Sequence, residues 1–345
     1  RQMIESGQAD FVFLGRSLLA DPQWLNKVKE GRTDEIRPCL MCNRCIENTF
    51  KGLAVRCTVN YWAGREGESD LCSRRRMGGK AVIIGSGPAG LHAALALRRL
   101  GLEVKIFEKE SRAGGLLNLA GRPPHKHRLL RFRDYLVGEV VKQNIPVVLN
   151  HTFSTGDLDQ EKPDFVVVAA GSELKKPGIP GQDGPSCLGV EEVLDEKVRI
   201  EGKRVVVVGG GSNGCETADF LIGRGNRVVI VEQASCLASD MERKNRRDMI
   251  NRMEKEGLTR RLRSRVLAVE GARVKIENQQ GVEILEADYV VWATGYSSRQ
   301  DLYMQIKQIH PRTFIIGDAF QVGGIRDAVA QAEAVARSIF AMMTP

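Results

Sequence analysis

The chain has 345 residues and a formal net charge of +8, with 42% hydrophobic and 27% charged residues. This length and apolar content predict two or three domains with substantial cores, and no apolar run is long enough to cross a bilayer. The basic charge suggests nucleic acid as a partner, but no aromatic residues alternate with the basic clusters to stack on bases. We therefore expect no nucleic-acid partner and no membrane.

The N-terminal segment, residues 1–35, predicts a strand at 11–14 followed by a helix whose start is marked by Ala20, Asp21 and Pro22. The strand has no evident partner in the rest of the sequence, although an isolated strand is not stable in water. The segment is therefore either a piece of a larger domain or a small helical adapter.

A compact group of four cysteines comes next. Its members are Cys39, Cys42, Cys45 and Cys57. This spacing suits a cubane [4Fe–4S] cluster, in which each iron takes one thiolate. The alternatives are a structural zinc site, whose cysteine pairs usually lie farther apart, and disulfides in a secreted chain. The other cysteines are Cys72, Cys187, Cys215 and Cys236. Because they are scattered singly, we expect structural thiols in a reducing compartment and a cytoplasmic protein.

A dinucleotide-binding pattern follows the cysteines. The apolar strand 81–84 leads into Gly85, Gly87 and Gly90 and then into a helical pattern. Such glycines permit a tight turn, close approach of the backbone to a pyrophosphate and close helix packing. The next strand ends at Glu108, where a carboxylate can accept hydrogen bonds from a ribose. An ordinary glycine-rich turn between a strand and a helix is the alternative.

The same pattern occurs a second time. Strand 205–208 leads into Gly209, Gly211 and Gly214, and the following strand ends at Glu232. In both copies the acidic residue lies 23 positions after the first glycine. We therefore expect two dinucleotides, and Glu232 favours NADH over NADPH because its carboxylate would repel a 2′-phosphate.

Further short motifs complete a family pattern. They are a glycine pair at 114–115, AAG at 169–171, ATG at 293–295 and IIGDA at 315–319. With the cysteines and both glycine motifs, this order resembles the C-terminal half of the 2,4-dienoyl-CoA reductase, 2-enoate reductase and trimethylamine dehydrogenase family. The resemblance implies that residues 1–35 are the end of a TIM barrel whose larger part is missing, so that the chain is a fragment. Gly15 and Arg16 would then help to hold the phosphate of FMN.

The resemblance also implies FAD at the first glycine motif, NADH at the second and FMN in the full-length protein only. The implied cofactor-binding residues are Gly85, Gly87, Pro88, Ala89, Gly90, Glu108, Lys109, Gly114, Gly115, Gly171, Gly209, Gly211, Ser212, Asn213, Gly214, Glu232, Gly295, Gly317, Asp318 and Ile325. Asp318 would bond the ribityl chain or the pyrophosphate, with a turn-capping carboxylate as the alternative. No side chain is assigned a catalytic role, because hydride transfer to a flavin needs no acid or base.

These patterns predict an α/β fold with two Rossmann-like, glutathione-reductase-like nucleotide domains, one inserted in the other. We expect a barrel remnant at 1–35, a cluster module at 36–77 with a polar linker at its end (64–79), and an NAD(H) domain at 196–287. Residues 78–195 and 288–345 would form the discontinuous FAD domain.

The implied function is electron input, from NADH to FAD to the [4Fe–4S] cluster to FMN, for reduction of an activated C=C bond such as that of an enoate or enoyl-CoA. The full-length protein would act on a small-molecule substrate, and a homo-oligomer remains open. An alternative is a scaffold like an amine dehydrogenase, with ADP or redox-silent nucleotide domains. A thiol-disulfide reductase is disfavoured, because neither nucleotide domain contains a C-x-x-C motif.

Overall fold

The computed structural model describes residues 2–68 and 78–344, so Cys72 and the middle of the expected linker lie outside the described residues. The helices are α1 (Gln2–Glu5), α2 (Arg16–Ala20), α3 (Trp24–Lys29), α4 (Arg44–Phe50), α5 (Pro88–Arg99), α6 (Leu117–Ala120), α7 (His127–Lys142), α8 (Asp157–Glu161), α9 (Val190–Leu194), α10 (Ser212–Ile222), α11 (Arg243–Lys255), α12 (Asp301–Ile309) and α13 (Ile325–Met343). The strands are β1 (Lys80–Ile84), β2 (Glu103–Phe107), β3 (Val147–Val148), β4 (Phe165–Val168), β5 (Ser172–Leu174), β6 (Cys187–Gly189), β7 (Arg204–Val208), β8 (Arg227–Val231), β9 (Thr259–Arg261), β10 (Arg265–Glu270), β11 (Arg273–Asn278), β12 (Gly281–Glu286), β13 (Tyr289–Trp292), β14 (Tyr296–Ser298) and β15 (Thr313–Ile315).

The first nucleotide unit is a five-stranded parallel sheet in the order β15-β4-β1-β2-β3. Four of the five β1 residues are buried, as expected for a parallel strand that is covered on both faces. Helix α5 follows β1 and packs against α13, which the chain reaches only at its C-terminal end. The first domain is therefore built from two stretches of chain, one that begins at β1 and one that ends with α13.

The second unit repeats this arrangement in the order β6-β13-β7-β8-β9, again with every pair parallel. Strand β7 has the same burial pattern as β1 and is followed by α10, as β1 is followed by α5. A separate antiparallel sheet, β10-β11-β12, packs against one face of this second parallel sheet through Val269, Val274 and Ile276. The predicted α/β class with two Rossmann-like units is confirmed.

The division between the two domains differs from the expected boundaries at 196 and 287. Strand β13 pairs with β7 and with β6, so both β6 and β13 belong to the second sheet although they lie outside 196–287. The chain instead passes between the two domains at β5 and returns at β14, and these two strands pair as a small antiparallel sheet. Local sequence could not show this, because the pairing of β6 with β13 joins residues about one hundred positions apart in the chain.

The strand predicted at 11–14 is wrong: these residues are in neither strand nor helix, and Phe11 and Phe13 are 85% and 96% exposed. A strand needs a neighbour for its backbone N–H and C=O groups, and none of the described strands pairs with this segment. The helical part of the prediction agrees, because α3 begins shortly after Pro22.

Within the described residues, no helix is both long enough and apolar enough to span a lipid bilayer.

A buried ionic contact joins α5 to α13 in the first domain. The Nε2 of His92 lies 3.0 Å from the Oε1 of Glu333, which also accepts a hydrogen bond of 2.6 Å from Arg99. Burial alone would raise the pKa of Glu333, but the hydrogen bond with His92 and the charge of Arg99 outweigh it and hold this pKa at about 2. Burial lowers the pKa of His92 below its usual 6.5, so the imidazole is neutral in the folded chain.

Both shifts make the unfolded chain bind more protons than the folded chain, so the stability of the fold decreases as the pH is lowered. We expect the chain to lose stability first below pH 6.5, where His92 protonates on unfolding. It should lose further stability below pH 4.5, the usual pKa of glutamate. Glu333→Ala should cost about 2 kcal/mol at pH 7, because it removes the hydrogen-bond partner of the buried His92 imidazole. Glu333→Gln should remove the loss below pH 4.5, with the exposed Glu103→Gln as control. Melting midpoints from pH 7 to pH 3 test this, and the same acid dependence in Glu333→Gln as in the wild type would contradict it.

Candidate functional site

The turn after β1 has the geometry of a phosphate cradle. Gly85 has φ +102°, and a Cβ there would lie 2.3 Å from the carbonyl oxygen of Ala169. A Cβ on Gly90 would lie 2.0 Å from the carbonyl oxygen of Gly85. A Cβ on Gly87 would meet no atom within 4 Å. Two glycines therefore permit the turn itself, whereas the third keeps an open space at the start of α5.

The turn after β7 repeats these distances. Gly209 has φ +102°, with an added Cβ 2.3 Å from the carbonyl oxygen of Ala293, and a Cβ on Gly214 would lie 2.0 Å from the carbonyl oxygen of Gly209. A Cβ on Gly211 again meets no atom within 4 Å. Helix α10 begins at Ser212, directly after this open position. The two nucleotide motifs are duplicated in backbone geometry as well as in sequence.

The glycine pair lies against the first turn. The Gly114 amide donates to the Ser86 carbonyl at 2.9 Å, and a Cβ on Gly115 would approach the Gly87 Cα to 2.9 Å. Both glycines have positive φ, +116° and +53°. A side chain at Gly115 would crowd the space beside Gly87, and a Cβ on Gly114 would lie 2.7 Å from the Cγ of Arg133, so both positions favour glycine.

The two acidic strand ends hold their own turns. Glu108 is buried; its Oε2 accepts the Ser86 amide at 2.8 Å, and its Oε1 accepts the Glu110 amide at 2.9 Å. Glu232 accepts the Gly210 amide at 2.5 Å and the Ala234 amide at 2.6 Å. Each carboxylate therefore fixes the glycine turn, a role that the sequence analysis missed. Neighbouring Lys109 is exposed and lies 3.5 Å from Glu110.

The IIGDA motif brings a carboxylate near the start of α5. A Cβ on Gly317 would lie 2.7 Å from the Cβ of Ala89. Asp318 accepts hydrogen bonds from Ser172 Oγ at 3.3 Å and from the Gly323 amide at 3.1 Å, and burial raises its pKa. It therefore caps a local turn and lies at the same end of the sheet as the phosphate cradle.

The remaining predicted residues surround the same two turns. Pro88 and Ala89 open α5, and Ser212 and Asn213 open α10. Gly171 and Gly295 have positive φ and flank the two-stranded sheet that joins the domains. Ile325 begins α13.

The four cysteines line one pocket on the core of the first domain. The other lining residues are Arg16, Leu19, Leu40, Asn43, Thr58 and Val59. Positive φ angles at Met41 and Asn43 turn the chain between the first cysteines. Burial raises the pKa of the Cys45 and Cys57 thiols, and the nearby Cys42 and Cys39 raise it further.

No three His, Cys, Asp or Glu side chains in residues 2–68 and 78–344 converge to hold one metal ion. A mononuclear zinc requires all its sulfur ligands about 2.3 Å from one point. The four thiols nevertheless line one pocket, and a cubane cluster takes one thiolate on each of its irons.

The proposed FMN residues lie beside this pocket. Gly15 precedes α2, and the Nη1 of Arg16 donates to the Oδ1 of Asn43, between the cysteines. The guanidinium of Arg16 therefore contacts the cysteine segment in this structure.

A family model for pyridine nucleotide-disulphide oxidoreductases matches residues 79–323, which include both glycine turns and the IIGDA motif. The chain belongs to this family. Membership implies FAD and NAD(H) as cofactors, and the α/β architecture described above is that of its flavoprotein reductases.

Relatives narrow the group to which this oxidoreductase belongs. An NADH oxidase from Thermoanaerobacter brockii is 38% identical, over 98% of this chain and 53% of its own length. A cinnamate reductase from Clostridium sporogenes is 32% identical, over 97% of this chain and 50% of its own length. A solved complex of 2-naphthoyl-CoA reductase superposes with a TM-score of 0.92 at 26% identity, covering 97% of this chain and 51% of that one. The resemblance to the 2,4-dienoyl-CoA reductase and trimethylamine dehydrogenase group is confirmed, and the chain spans about half the length of these relatives.

The first turn of this oxidoreductase fits FAD. The open space beside Gly87, at the N-terminus of the twelve-residue helix α5, suits a pyrophosphate, because backbone N–H groups and the helix dipole favour negative charge there. Glu108 stands at the end of the neighbouring strand, where a ribose would lie. The second turn fits a pyridine nucleotide by the same argument at Gly211 and Glu232.

One side chain at the second turn was not found from the sequence. The carboxylate of Asp240 accepts the Ser212 amide at 3.0 Å and the Ser212 hydroxyl at 2.6 Å. The two residues are 28 positions apart, and no local motif connects them. The first unit has Pro88 at the equivalent helix start, which has no N–H to donate.

Proposed function

We propose that this chain is the electron-input module of an NADH-dependent flavin and iron–sulfur oxidoreductase that reduces an activated C=C bond, such as that of an enoate or enoyl-CoA. The observation that carries the proposal is the duplicated phosphate cradle in one chain, beside a pocket lined by four free thiols. When bound, FAD would accept a hydride from NADH, and a [4Fe–4S] cluster would pass electrons singly towards FMN in another part of the full-length protein.

The residues of the chain bind and orient these groups. The Gly85–Gly90 turn presents the start of α5 to the pyrophosphate, while Glu108 fixes that turn through the Ser86 amide. The Gly209–Gly214 turn does the same for the pyridine nucleotide, with Glu232 holding the Gly210 amide. Because each acidic residue is anchored through the turn, its position relative to the ribose is set before the nucleotide binds.

The cysteine pocket supports the proposed cluster through the spacing of its ligands, with three thiols at two-residue intervals and a fourth after eleven residues. The four thiols share a pocket, but in the described part of the chain no three ligands converge on a single ion. The pocket rests on the core of the first nucleotide domain, where Cys39 and Cys57 pack. A cluster bound there would therefore lie close to the domain proposed to hold FAD.

The substrate site is proposed to lie outside this chain. The chain covers 53% of the NADH oxidase, 50% of the cinnamate reductase and 51% of the 2-naphthoyl-CoA reductase. The names of the last two indicate reduction of an unsaturated acid or of an aromatic CoA thioester by the whole protein. We propose that this chain supplies electrons for such a reaction and that the FMN barrel supplies the substrate pocket.

Electron transfer by the isolated chain tests the proposal. The chain, purified without oxygen, should release FAD on denaturation and should reduce ferricyanide with NADH, but it should not reduce cinnamate or an enoyl-CoA. Recovery of ADP in place of FAD, with no ferricyanide reduction, would favour the scaffold alternative. Turnover of an unsaturated acid by this chain alone would contradict the proposed location of the substrate site.

A second prediction concerns the choice between NADH and NADPH. Glu232→Gln keeps one of the two acceptor oxygens, for Gly210 or for Ala234, and removes the charge that repels a 2′-phosphate. We expect the ratio of the NADPH and NADH dissociation constants to fall at least about tenfold. The exposed Glu270→Gln should leave the ratio unchanged. Tighter binding of NADPH than of NADH by the wild type would overturn the assignment.

A further inference from the structure

The N-terminus of α10 is already in contact with an anion from the same chain. Asp240 places both carboxylate oxygens on Ser212, one on the backbone amide and one on the hydroxyl. Ser212 is the first residue of the eleven-residue helix α10 and directly follows the open position at Gly211. The carboxylate therefore uses an amide that a nucleotide phosphate would need at this turn.

A carboxylate and a phosphate do not both accept a hydrogen bond from this amide, because two like charges so close to one donor repel each other. Asp240 is exposed, so its contact with Ser212 already faces water and releasing the carboxylate into water costs little free energy. The base of its loop is fixed, since the Ala238 amide donates to the Gly210 carbonyl at 2.6 Å and Arg246 donates to the Leu237 carbonyl at 2.6 Å. Displacement therefore concerns the tip of the loop and leaves the glycine turn in place.

The tip of the loop is tied to the cysteine segment. The Nη2 of Arg44 donates to the Asp240 carbonyl at 2.8 Å, and the Asn43 side-chain amide donates to Asn245 Oδ1 at 2.9 Å. Asn245 in turn donates to the Met41 carbonyl at 3.2 Å. These contacts lie between Cys39 and Cys45, so the loop that carries the carboxylate is attached to the proposed cluster ligands.

We propose that Asp240 is a built-in competitor of the pyridine nucleotide. It occupies the phosphate position at the start of α10 until a nucleotide displaces it, and Arg44 links this displacement to the cysteine segment. The proposal rests on the proposed function, because it takes the second turn as the NAD(H) site. Thermodynamic linkage makes this coupling reciprocal. If loosening Arg44 in the cysteine segment strengthens nucleotide binding by a given factor, nucleotide binding shifts the segment towards its loosened state by the same factor.

Binding of NAD⁺ to the full FAD-loaded chain, measured by titration calorimetry, tests the competition. Asp240→Ala and Asp240→Asn should lower the dissociation constant at least about tenfold, because the competent state is then no longer blocked. The exposed Asp248→Asn on α11 removes the same charge away from the turn and should change nothing. FAD content and the melting midpoint verify that each variant is folded.

Two further measurements test the link to the cysteine segment. Arg44→Met should tighten NAD⁺ binding about threefold, less than loss of the carboxylate itself. Glu47→Gln removes the charge that pairs with Arg44 at 3.0 Å and with Lys51 at 2.8 Å but leaves the bond from Arg44 to the Asp240 carbonyl, and it serves as control. Addition of NAD⁺ to the wild type should speed hydrogen exchange of the amides at 41–50.

The outcomes separate the two proposals. Wild-type binding of NAD⁺ with unchanged or weaker binding by Asp240→Ala would overturn the competitor and leave the proposed function intact. Unchanged exchange at 41–50, with Arg44→Met behaving like the wild type, would overturn the link. Failure of the wild type and of every variant to bind NAD⁺ would overturn both the competitor and the proposed function.

Discussion

Gly87→Ala is expected to give a folded chain that loses FAD, whereas Gly211→Ala is expected to keep FAD and lose the pyridine nucleotide. A Cβ at either position meets no protein atom within 4 Å, so neither substitution strains the apoprotein. The new methyl group would instead stand in the space where each pyrophosphate approaches the backbone. We expect each nucleotide to bind at least about tenfold more weakly, equivalent to about 1.4 kcal/mol. FAD content after gel filtration and NAD⁺ calorimetry measure the two effects.

Two other glycines serve as controls for this prediction. Gly90→Ala puts a Cβ 2.0 Å from the Gly85 carbonyl oxygen, so it should destabilise the apoprotein as well as weaken FAD binding. Gly138→Ala lies within α7, where the added Cβ meets nothing, and should raise the melting midpoint slightly without changing either cofactor. Full FAD retention by Gly87→Ala would show that the open space is not the pyrophosphate site.

Replacement of a pocket cysteine is expected to have the other large effect. Cys57→Ser removes the most distant ligand in sequence, and a cubane cluster that has lost one of its four thiolates is poorly held. We expect iron to fall from about four to below about one per chain, with a matching loss of acid-labile sulfide. Broad visible absorbance that bleaches with dithionite should disappear with it.

Cys236→Ser is the matched control, because that thiol is also half-buried but lies in the second domain, away from the pocket. It should keep the iron and the absorbance of the wild type. Stoichiometric zinc without iron or sulfide in the anaerobically prepared wild type would contradict the cluster, as would full iron content in Cys57→Ser.

The duplicated nucleotide units could be predicted from sequence because their signals are local. In each unit a buried strand, three glycines and a helix occupy one continuous stretch, and an acidic residue ends the next strand. The glycine spacing follows from contacts within the turn itself, such as the approach of Gly90 to Gly85. Local pattern and tertiary structure therefore agree at these positions.

The features that sequence could not show depend on residues far apart in the chain. The apolar stretch at 11–14 has the composition of a strand, but composition does not supply the neighbouring strand that its backbone requires. Strand β6 joins the second sheet only through β13, which moves the domain boundary away from the expected position. Asp240 lies in an exposed loop and contacts Ser212, 28 positions away in the chain. No sequence pattern predicts such a contact for an aspartate in a loop.

The dual role of Glu108 shows an intermediate case. Its position at the end of β2 was predicted, and the structure places it there. Its hydrogen bonds to Ser86 and Glu110 depend on the tertiary approach of two loops, which no spacing rule describes. Sequence thus indicates which residue stands at the site, while the structure shows what it contacts.

Anaerobic titration of the purified chain with NADH, followed by visible absorbance and by electron paramagnetic resonance, tests the electron-input role most directly. We expect NADH to bleach bound FAD and then to produce the signal of a reduced [4Fe–4S] cluster, without any added substrate. A chain that contains FAD and iron but shows neither bleaching nor a cluster signal with excess NADH would contradict it.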